Sequence, residues 1–128
     1  MNIENHLKNA RVYVWRDTFA VVKSKNTYHD AFANIIDKNE ITVIIDQSKL
    51  DEDDAIEIEK NWKMLTFDMV LPFGLVGFMA EVSRALAEEK ISIFVISAYS
   101  TDHVLVKEKD LTKAINKLES LGCSVEKK

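Results

Sequence analysis

The stretch Trp62-Lys-Met-Leu-Thr-Phe-Asp-Met-Val-Leu71 decides the fold, because a strand-forming run stops abruptly at Pro72-Phe-Gly74. Apolar residues then recur at helical spacing, which predicts an amphipathic helix that ends near Lys90. These apolar residues are Leu75, Phe78, Met79, Val82 and Leu86. The next apolar run, Ile91-Ser-Ile-Phe-Val-Ile96, predicts a second strand.

The rest of the second half continues this alternation of strands and helices. After a polar bend, His103-Val-Leu-Val-Lys107 predicts a third strand, and Asp110 is suited to begin a helix. Its apolar stripe comprises Leu111, Ala114, Ile115 and Leu118. Gly122 stands where a helix commonly ends, and Cys123-Ser-Val-Glu126 predicts the last strand. The order β-α-β-β-α-β is typical of a four-stranded antiparallel sheet with both helices on one face, the ferredoxin-like arrangement.

The first half predicts a shorter version of the same unit. The runs Arg11-Val-Tyr-Val-Trp15 and Thr18-Phe-Ala-Val-Val22 predict a β-hairpin. Apolar spacing predicts a short helix from Asp30 to Asp37, and Ile41-Thr-Val-Ile-Ile45 predicts a further strand. This half therefore has too few elements for a complete ferredoxin-like unit.

The acidic stretch from Gln47 to Lys60 separates the two halves. It is not rich in Gly or Ser, so we expect the two parts to pack rather than swing. The sequence predicts an α+β protein of two ferredoxin-like units, a reduced one over residues 10–60 and a full βαββαβ unit over residues 61–127. An open sheet edge favours pairing between units or between chains.

Composition excludes several classes of function. The 128 residues carry a net charge of −4, which argues against a nucleic-acid partner. The longest apolar region, Met69 to Ala80, is interrupted by Pro72 and two glycines and is too short to span a membrane. A single cysteine and a polar N-terminus favour a reducing, cytoplasmic location.

Three segments are more specific than the fold: Gly77-Phe-Met-Ala80, Ile91-Ser-Ile-Phe-Val-Ile-Ser97 and Tyr99-Ser-Thr-Asp-His-Val-Leu-Val106. Together they resemble the pattern of tandem ACT-domain proteins, such as CASTOR-like arginine sensors and the amino-acid-sensing domains of aspartate kinases. The similarity is weaker over residues 10–47. It implies two ACT units with a free amino acid bound at an ACT–ACT interface.

The resemblance also implies which residues form the walls of the ligand site. They come from the strand-to-helix loop, the start of the following strand and the polar bend: Gly74, Leu75, Val76, Gly77, Ser92, Ile93, Ala98, Tyr99 and Asp102. Ala98 stands where the family usually has Thr, so one hydroxyl contact is missing. The identity of the amino acid therefore stays open.

The chemistry of these residues suits a zwitterion, although each has a plainer interpretation. Backbone N–H groups after Gly74 and Gly77 suit a carboxylate at a helix N-terminus, but the glycines equally permit a tight turn. Asp102 suits an ammonium group, or accepts local N–H groups as a turn residue. Ser92 either donates to a ligand or bonds the backbone, and Tyr99 either lines the pocket or contacts a second copy.

No feature of the sequence predicts catalysis or a metal. His103 follows an aspartate, but no second histidine lies nearby in the chain, so we expect neither a metal site nor a cofactor. Cys123 has no basic neighbour and is interpreted as a small, partly buried residue. Phosphate-binding, zinc-protease and nucleophile-elbow motifs are absent. Turnover that depended on His103 or Cys123 would be needed to revive an enzymatic interpretation.

The sequence thus predicts a non-catalytic regulatory protein that binds a free amino acid. We expect it to form a homodimer and to pass its signal to an effector protein that the sequence does not identify. The alternative is a structural dimerisation or interaction module whose ligand cleft is vestigial.

Overall fold

The computed structural model describes residues 7–69 and 77–128, which form two compact units. One unit comprises Asp17–Trp62, and the other comprises Lys63–Lys128 together with the described chain up to Arg16. The sequence prediction assigned residues 10–16 to the first unit, whereas the structure groups them with the second half.

The described part of the chain contains eight strands, two complete α-helices and three short 3-10 turns, and Leu7 and Lys8 are also helical. They are β1 (Arg11–Val14), β2 (Phe19–Ser24), β3 (Ala33–Ile36), β4 (Ile41–Asp46), β5 (Ala55–Phe67), α1 (Phe78–Glu88), β6 (Ile93–Ser97), β7 (Asp102–Lys107), α2 (Leu111–Ser120) and β8 (Ser124–Lys127). Neither helix has the length and apolar character needed to cross a lipid bilayer.

The smaller unit is an antiparallel sheet in the order β3-β4-β2-β5, to which β5 contributes its first part. Side chains from β2 and β4 alternate into a small buried cluster of Ala20, Val22, Val43 and Ile45. Partly buried residues such as Tyr28 and Leu50 pack against this cluster. Within residues 17–62, all of which the structure describes, there is no α-helix.

The helix predicted from Asp30 to Asp37 is wrong, because this segment contains strand β3. Its two adjacent isoleucines pair in register with β4, Ile35 with Thr42 and Ile36 with Ile41. The helical prediction rested on few apolar positions, and a ladder with β4 satisfies the backbone of a β-branched segment better.

The hairpin predicted between Arg11–Trp15 and Thr18–Val22 is also wrong. Strand β1 pairs instead with β5 in antiparallel fashion and with β8 in parallel fashion. Strand β2 pairs with β4 and with the first part of β5. Alternate residues of β1, Val12 and Val14, are buried in the core of the larger unit, which explains this choice of partners.

The larger unit has the predicted element order β5-α1-β6-β7-α2-β8. Its strands lie in the order β6-β7-β5-β1-β8, so β1 adds a fifth strand and one parallel pair to the four-stranded antiparallel sheet that was predicted. Both helices share one core with alternate residues of the strands, so they lie on one face. The buried core residues are Leu7, Ala10, Val12, Val14, Leu65, Phe67, Phe78, Val82, Leu86, Ile91, Val104, Val106, Ala114, Leu118 and Cys123.

Candidate functional site

One edge of the larger unit's sheet is formed by strand ends and contains the end of β5, the end of β6 and the start of β7. Ser97 and Asp102 are register partners, and the turn between them is closed by the Ala98 N–H, which donates to the Thr101 carbonyl over 2.8 Å. Thr66 Oγ1 lies 2.8 Å from His103 Nδ1, which brings the start of β7 beside the end of β5. Asp102, half-buried, stands at this edge.

The N-terminus of α1 reaches the same edge. Gly77 precedes the helix with φ of 90°, a left-handed conformation that an L side chain rarely adopts. The ring of Phe78 packs edge-on against Phe67, with 5.4 Å between the ring centroids. The first turn of α1 therefore lies against the end of β5, near the strand that begins at Asp102.

The remaining predicted residues divide into three groups. Gly74, Leu75 and Val76 lie outside the described residues. Ala98 and Tyr99 occupy the exposed β6–β7 turn, and the Tyr99 side chain is 84% exposed, so it does not fill a cleft.

Ser92 and Ile93 lie at the opposite end of β6, where Ile93 is the register partner of Val106. From there to the Asp102 end the strand runs about 17 Å, at roughly 3.3 Å per residue. Ser92 is exposed, whereas Ile93 packs partly against the core. Within one chain the structure therefore does not bring these two residues to the edge that holds Asp102 and Gly77.

Sequence reasoning missed a chain of polar side chains behind the β6–β7 turn. The Trp15 indole Nε1–H donates to Thr66 Oγ1 over 2.7 Å, and the same oxygen lies 2.8 Å from His103 Nδ1. On the other side of the ring, His103 Nε2 lies 2.9 Å from Thr101 Oγ1. The sequence signal was a threonine inside the apolar end of β5 and a histidine at the start of an apolar strand.

Burial governs the titration of this histidine. His103 is only 6% exposed, and burial lowers its pKa below the ordinary value, against the opposing field of the Asp102 carboxylate. Thr66 is completely buried. The ring is therefore a neutral, hydrogen-bonded group near neutral pH.

The single cysteine is buried, as predicted. Burial raises the pKa of the Cys123 thiol to about 11, and its Sγ donates to the Leu7 carbonyl over 3.4 Å. A thiol in that state is a poor nucleophile near neutral pH. Across residues 7–69 and 77–128, no three His, Cys, Asp or Glu side chains are grouped to hold a metal ion.

Comparison with solved structures identifies the same fold in other proteins. A structural-genomics target from Agobacterium tumefaciens superposes with a TM-score of 0.81 at 20% identity, and the match covers 94% of each chain. The allosteric aspartate kinase of Clostridium acetobutylicum matches with a TM-score of 0.67 at 15% identity, over 86% of this chain and 34% of the kinase. The ligand-free regulatory subunit of Thermus thermophilus aspartate kinase matches with a TM-score of 0.60 at 8% identity, over 86% of this chain and 95% of the subunit.

The sequence profile of the ACT domain matches residues 57–120, half of the chain. The matched segment contains all but the first two residues of β5, together with both helices, β6 and β7, which are the elements that assemble the edge described above. The resemblance to ACT domains of the aspartate-kinase type, drawn from the sequence motifs, is confirmed. The chain belongs to the ACT domain family.

Proposed function

We propose that this chain is a non-catalytic regulatory protein that binds a free amino acid at an ACT–ACT interface between two copies. We assign a complete ACT unit to residues 61–127, most of which lie in the larger unit, and a reduced ACT-like unit to residues 10–60, most of which lie in the smaller unit. A regulatory protein without a catalytic group of its own acts through another molecule, so the signal passes to an effector protein.

The proposal is supported by the position of the start of α1 and of Asp102, since both lie at the same end of the larger unit's sheet. The first turn of α1 follows a left-handed Gly77 and offers backbone N–H groups and the positive end of a helix dipole to a carboxylate. The half-buried carboxylate of Asp102 at the same edge suits an ammonium group. A free amino acid carries both charges at a short, fixed spacing.

A second copy of the chain would complete the site. Strand β6 has one neighbour, β7, among the described strands, and its other edge is open. If two β6 strands pair in antiparallel fashion, the start of one strand comes beside the end of the other. Ser92 and Ile93 of one copy would then approach the edge that holds Asp102 and Gly77 of the other.

The composition of β6 favours such pairing. The strand Ile93–Ser97 contains no charged residue, and Val95 is 38% exposed. Natural edge strands are usually protected by charges or by a covering element, so an uncharged, apolar edge is suited to a partner strand. By contrast, β8 at the other edge of the same unit carries Glu126 and Lys127.

The direct test is calorimetric titration of the purified protein with each of the twenty free amino acids, up to millimolar concentration. For the amino acid that binds, Asp102→Asn should weaken the affinity about tenfold to a hundredfold, because a hydrogen bond to a charged group contributes about 1.5–3 kcal/mol. The matched control is Glu108→Gln, an exposed acid just beyond the opposite end of β7, which should leave affinity unchanged.

Two results would contradict the proposal. The absence of a heat signal with every amino acid would leave a dimerisation scaffold with a vestigial cleft as the better description. Equal affinity in the wild-type protein and the Asp102→Asn variant would place the ligand elsewhere.

A further inference from the structure

A chain of hydrogen bonds links the side chains of Trp15, Thr66, His103 and Thr101. The direction of donation is fixed at its Trp15 end. An indole N–H only donates, so Thr66 Oγ1 must accept from Trp15 at 2.7 Å. The hydroxyl of Thr66 then has one proton left to donate. The available acceptor is His103 Nδ1 at 2.8 Å.

This direction selects one tautomer of the ring. If Nδ1 accepts from Thr66, the ring proton resides on Nε2 and is donated to Thr101 Oγ1 at 2.9 Å. The opposite tautomer would make Thr66 Oγ1 accept twice and would leave its own proton without an acceptor. Thr66 is completely buried, so water could not satisfy that proton.

Protonation of the His103 ring would also leave the Thr66 proton without an acceptor. A histidine cation donates from both nitrogens, so Nδ1 could no longer accept from Thr66. Thr66 Oγ1 already accepts from Trp15. If it also accepted from Nδ1–H, its own buried proton would have no acceptor. Protonation therefore replaces the bond from Thr66 to Nδ1 by one that leaves the buried Thr66 proton without an acceptor, which destabilises this contact between β7 and β5, while the Nε2–H bond to Thr101 persists.

The described strands that flank the ring carry few titratable side chains. The neighbouring strand β6 and the segment Met64–Phe67 of β5 contain no titratable side chain. On β1 the titratable groups are Arg11 and Tyr13, and Tyr13 is the register partner of Thr66. Asp102, adjacent on β7, supplies the field that favours the cation.

We propose that His103 is a pH-sensitive positioning residue, whose neutral ring ties the Ala98–Asp102 turn to β5 and whose protonation releases that turn and so weakens ligand binding by Asp102. The part of this inference that concerns ligand affinity rests on the function proposed above. The part that concerns the turn does not require a ligand.

The direction of the pH effect follows from the burial of the ring. Because the pKa of His103 is lowered in the folded protein, the tied state is fully populated above about pH 6.5 and is lost as the pH falls through the lowered value. Below that value the neutral fraction falls about tenfold per pH unit, and apparent affinity for the amino acid falls with it.

The first experiment follows the wild-type protein by NMR from pH 7.5 downward. The imidazole resonances of His103 should show the Nε2–H tautomer and titrate below pH 6.5, and the amides of Thr101 and Asp102 should shift with the same midpoint. Amides of the smaller unit, such as Val22, should keep their native dispersion at that midpoint. Titration at or above pH 6.5, or amides of the turn that do not follow it, would overturn the proposal.

Variants separate positioning from simple stability. His103→Gln keeps an N–H for Thr101 and an acceptor for Thr66 but does not titrate, so binding at neutral pH should persist while the pH-dependent loss disappears. Thr101→Val should leave the ring titrating but uncouple the turn amides from it. Thr66→Ser, which retains the hydroxyl, should preserve both effects and serves as the control.

The possible outcomes distinguish a failure of the proposed function from a failure of the positioning role of His103. If no amino acid binds at any pH, the proposed function fails, but the coupling of His103 to the turn is still decided by the NMR titration. If an amino acid binds and His103→Gln keeps the wild-type pH profile, the positioning role fails and the proposed function stands. If His103→Gln does not fold, the Thr101→Val and Thr66→Ser variants decide the question.

Discussion

The two units of this chain bury one face of their sheets in different ways. The larger unit covers one face with two helices, whose apolar stripes enclose a core that includes fifteen buried residues among those the structure describes. The smaller unit has a cluster of four buried residues and covers it with turn and strand side chains, among them Tyr28 and Leu50. Only the unit with a helical layer can offer a helix N-terminus to an anion.

This difference between the units determines where a backbone N–H group is available to an anionic ligand. The smaller unit has short 3-10 turns capped by Asp46 and Asp51, whose side chains accept from the backbone N–H groups of Ser48 and Asp53. Those N–H groups are already satisfied by the protein's own carboxylates. The proposed binding edge therefore belongs to the larger unit.

Removal of a core side chain from the helical layer should have the largest effect. Leu118 on α2 is completely buried, so Leu118→Ala should lower the free energy of unfolding by about 2–5 kcal/mol through lost burial and a residual cavity. Urea denaturation followed by circular dichroism measures this loss.

The matched variant in the smaller unit is Leu50→Ala. Leu50 is only partly buried, so its truncation should cost about 1 kcal/mol. Equal losses in the two variants would mean that the two units are equally dependent on packing, and the contrast between them would disappear.

The larger unit was also the more predictable one, for the same physical reason. Helical stripes such as Phe78, Val82 and Leu86 repeat over several turns, and Gly122 has the left-handed φ of 98° expected where α2 ends. The segment that forms β3 is too short for any periodicity to be decisive. Its structure depends on pairing with β4, a non-local contact that a local pattern does not encode.

The edges of the two units provide a second comparison. Val95 on β6 and Ile36 on β3 are both exposed apolar residues on strands at the edge of a sheet. If β6 mediates the homodimer, Val95→Lys should raise the dimer dissociation constant at least about tenfold, because edge lysines oppose strand pairing. Ile36→Lys, the matched substitution, should leave it unchanged.

Sedimentation equilibrium of both variants and the wild-type protein measures this effect. Dissociation caused by Ile36→Lys but not by Val95→Lys would move the interface to the smaller unit. In that arrangement Ser92 would stay remote from Asp102, and the proposed site would lose its second wall.

The candidate site was predictable only in part. Motif resemblance pointed to Gly77 and Asp102, and the structure puts both at one edge, but it also puts Ser92 at the far end of β6. The hydrogen bond between Thr66 and His103 joins residues 37 positions apart. Its formation depends on the pairing of β5 with β7, which no local pattern specifies.

The smallest expected effect on stability concerns a polar contact in the smaller unit, which has no α-helix to cover its sheet. The Tyr28 hydroxyl donates to Asp54 Oδ2 over 2.8 Å, and the Asp51 N–H donates to the same hydroxyl over 3.2 Å. One phenol thus links the loop before β3 to the turn before β5. Tyr28→Phe should lower the free energy of unfolding by about 1 kcal/mol, the usual net contribution of a partly exposed hydrogen bond.

The pH dependence of stability distinguishes the hydrogen bond of the Tyr28 hydroxyl from the packing of the Tyr28 ring. Burial, followed by the hydrogen bond to Asp54, raises the pKa of Tyr28 above its ordinary value of 10.0. Its contribution to stability is therefore complete below about pH 10 and declines as the pH rises through the folded-state value. Tyr28→Phe should abolish that alkaline component in thermal unfolding, whereas Tyr13→Phe in the larger unit should retain it. An unchanged alkaline profile in Tyr28→Phe would mean that the apolar cluster alone holds this loop, and that a sheet of this size needs no polar tie to replace a helix.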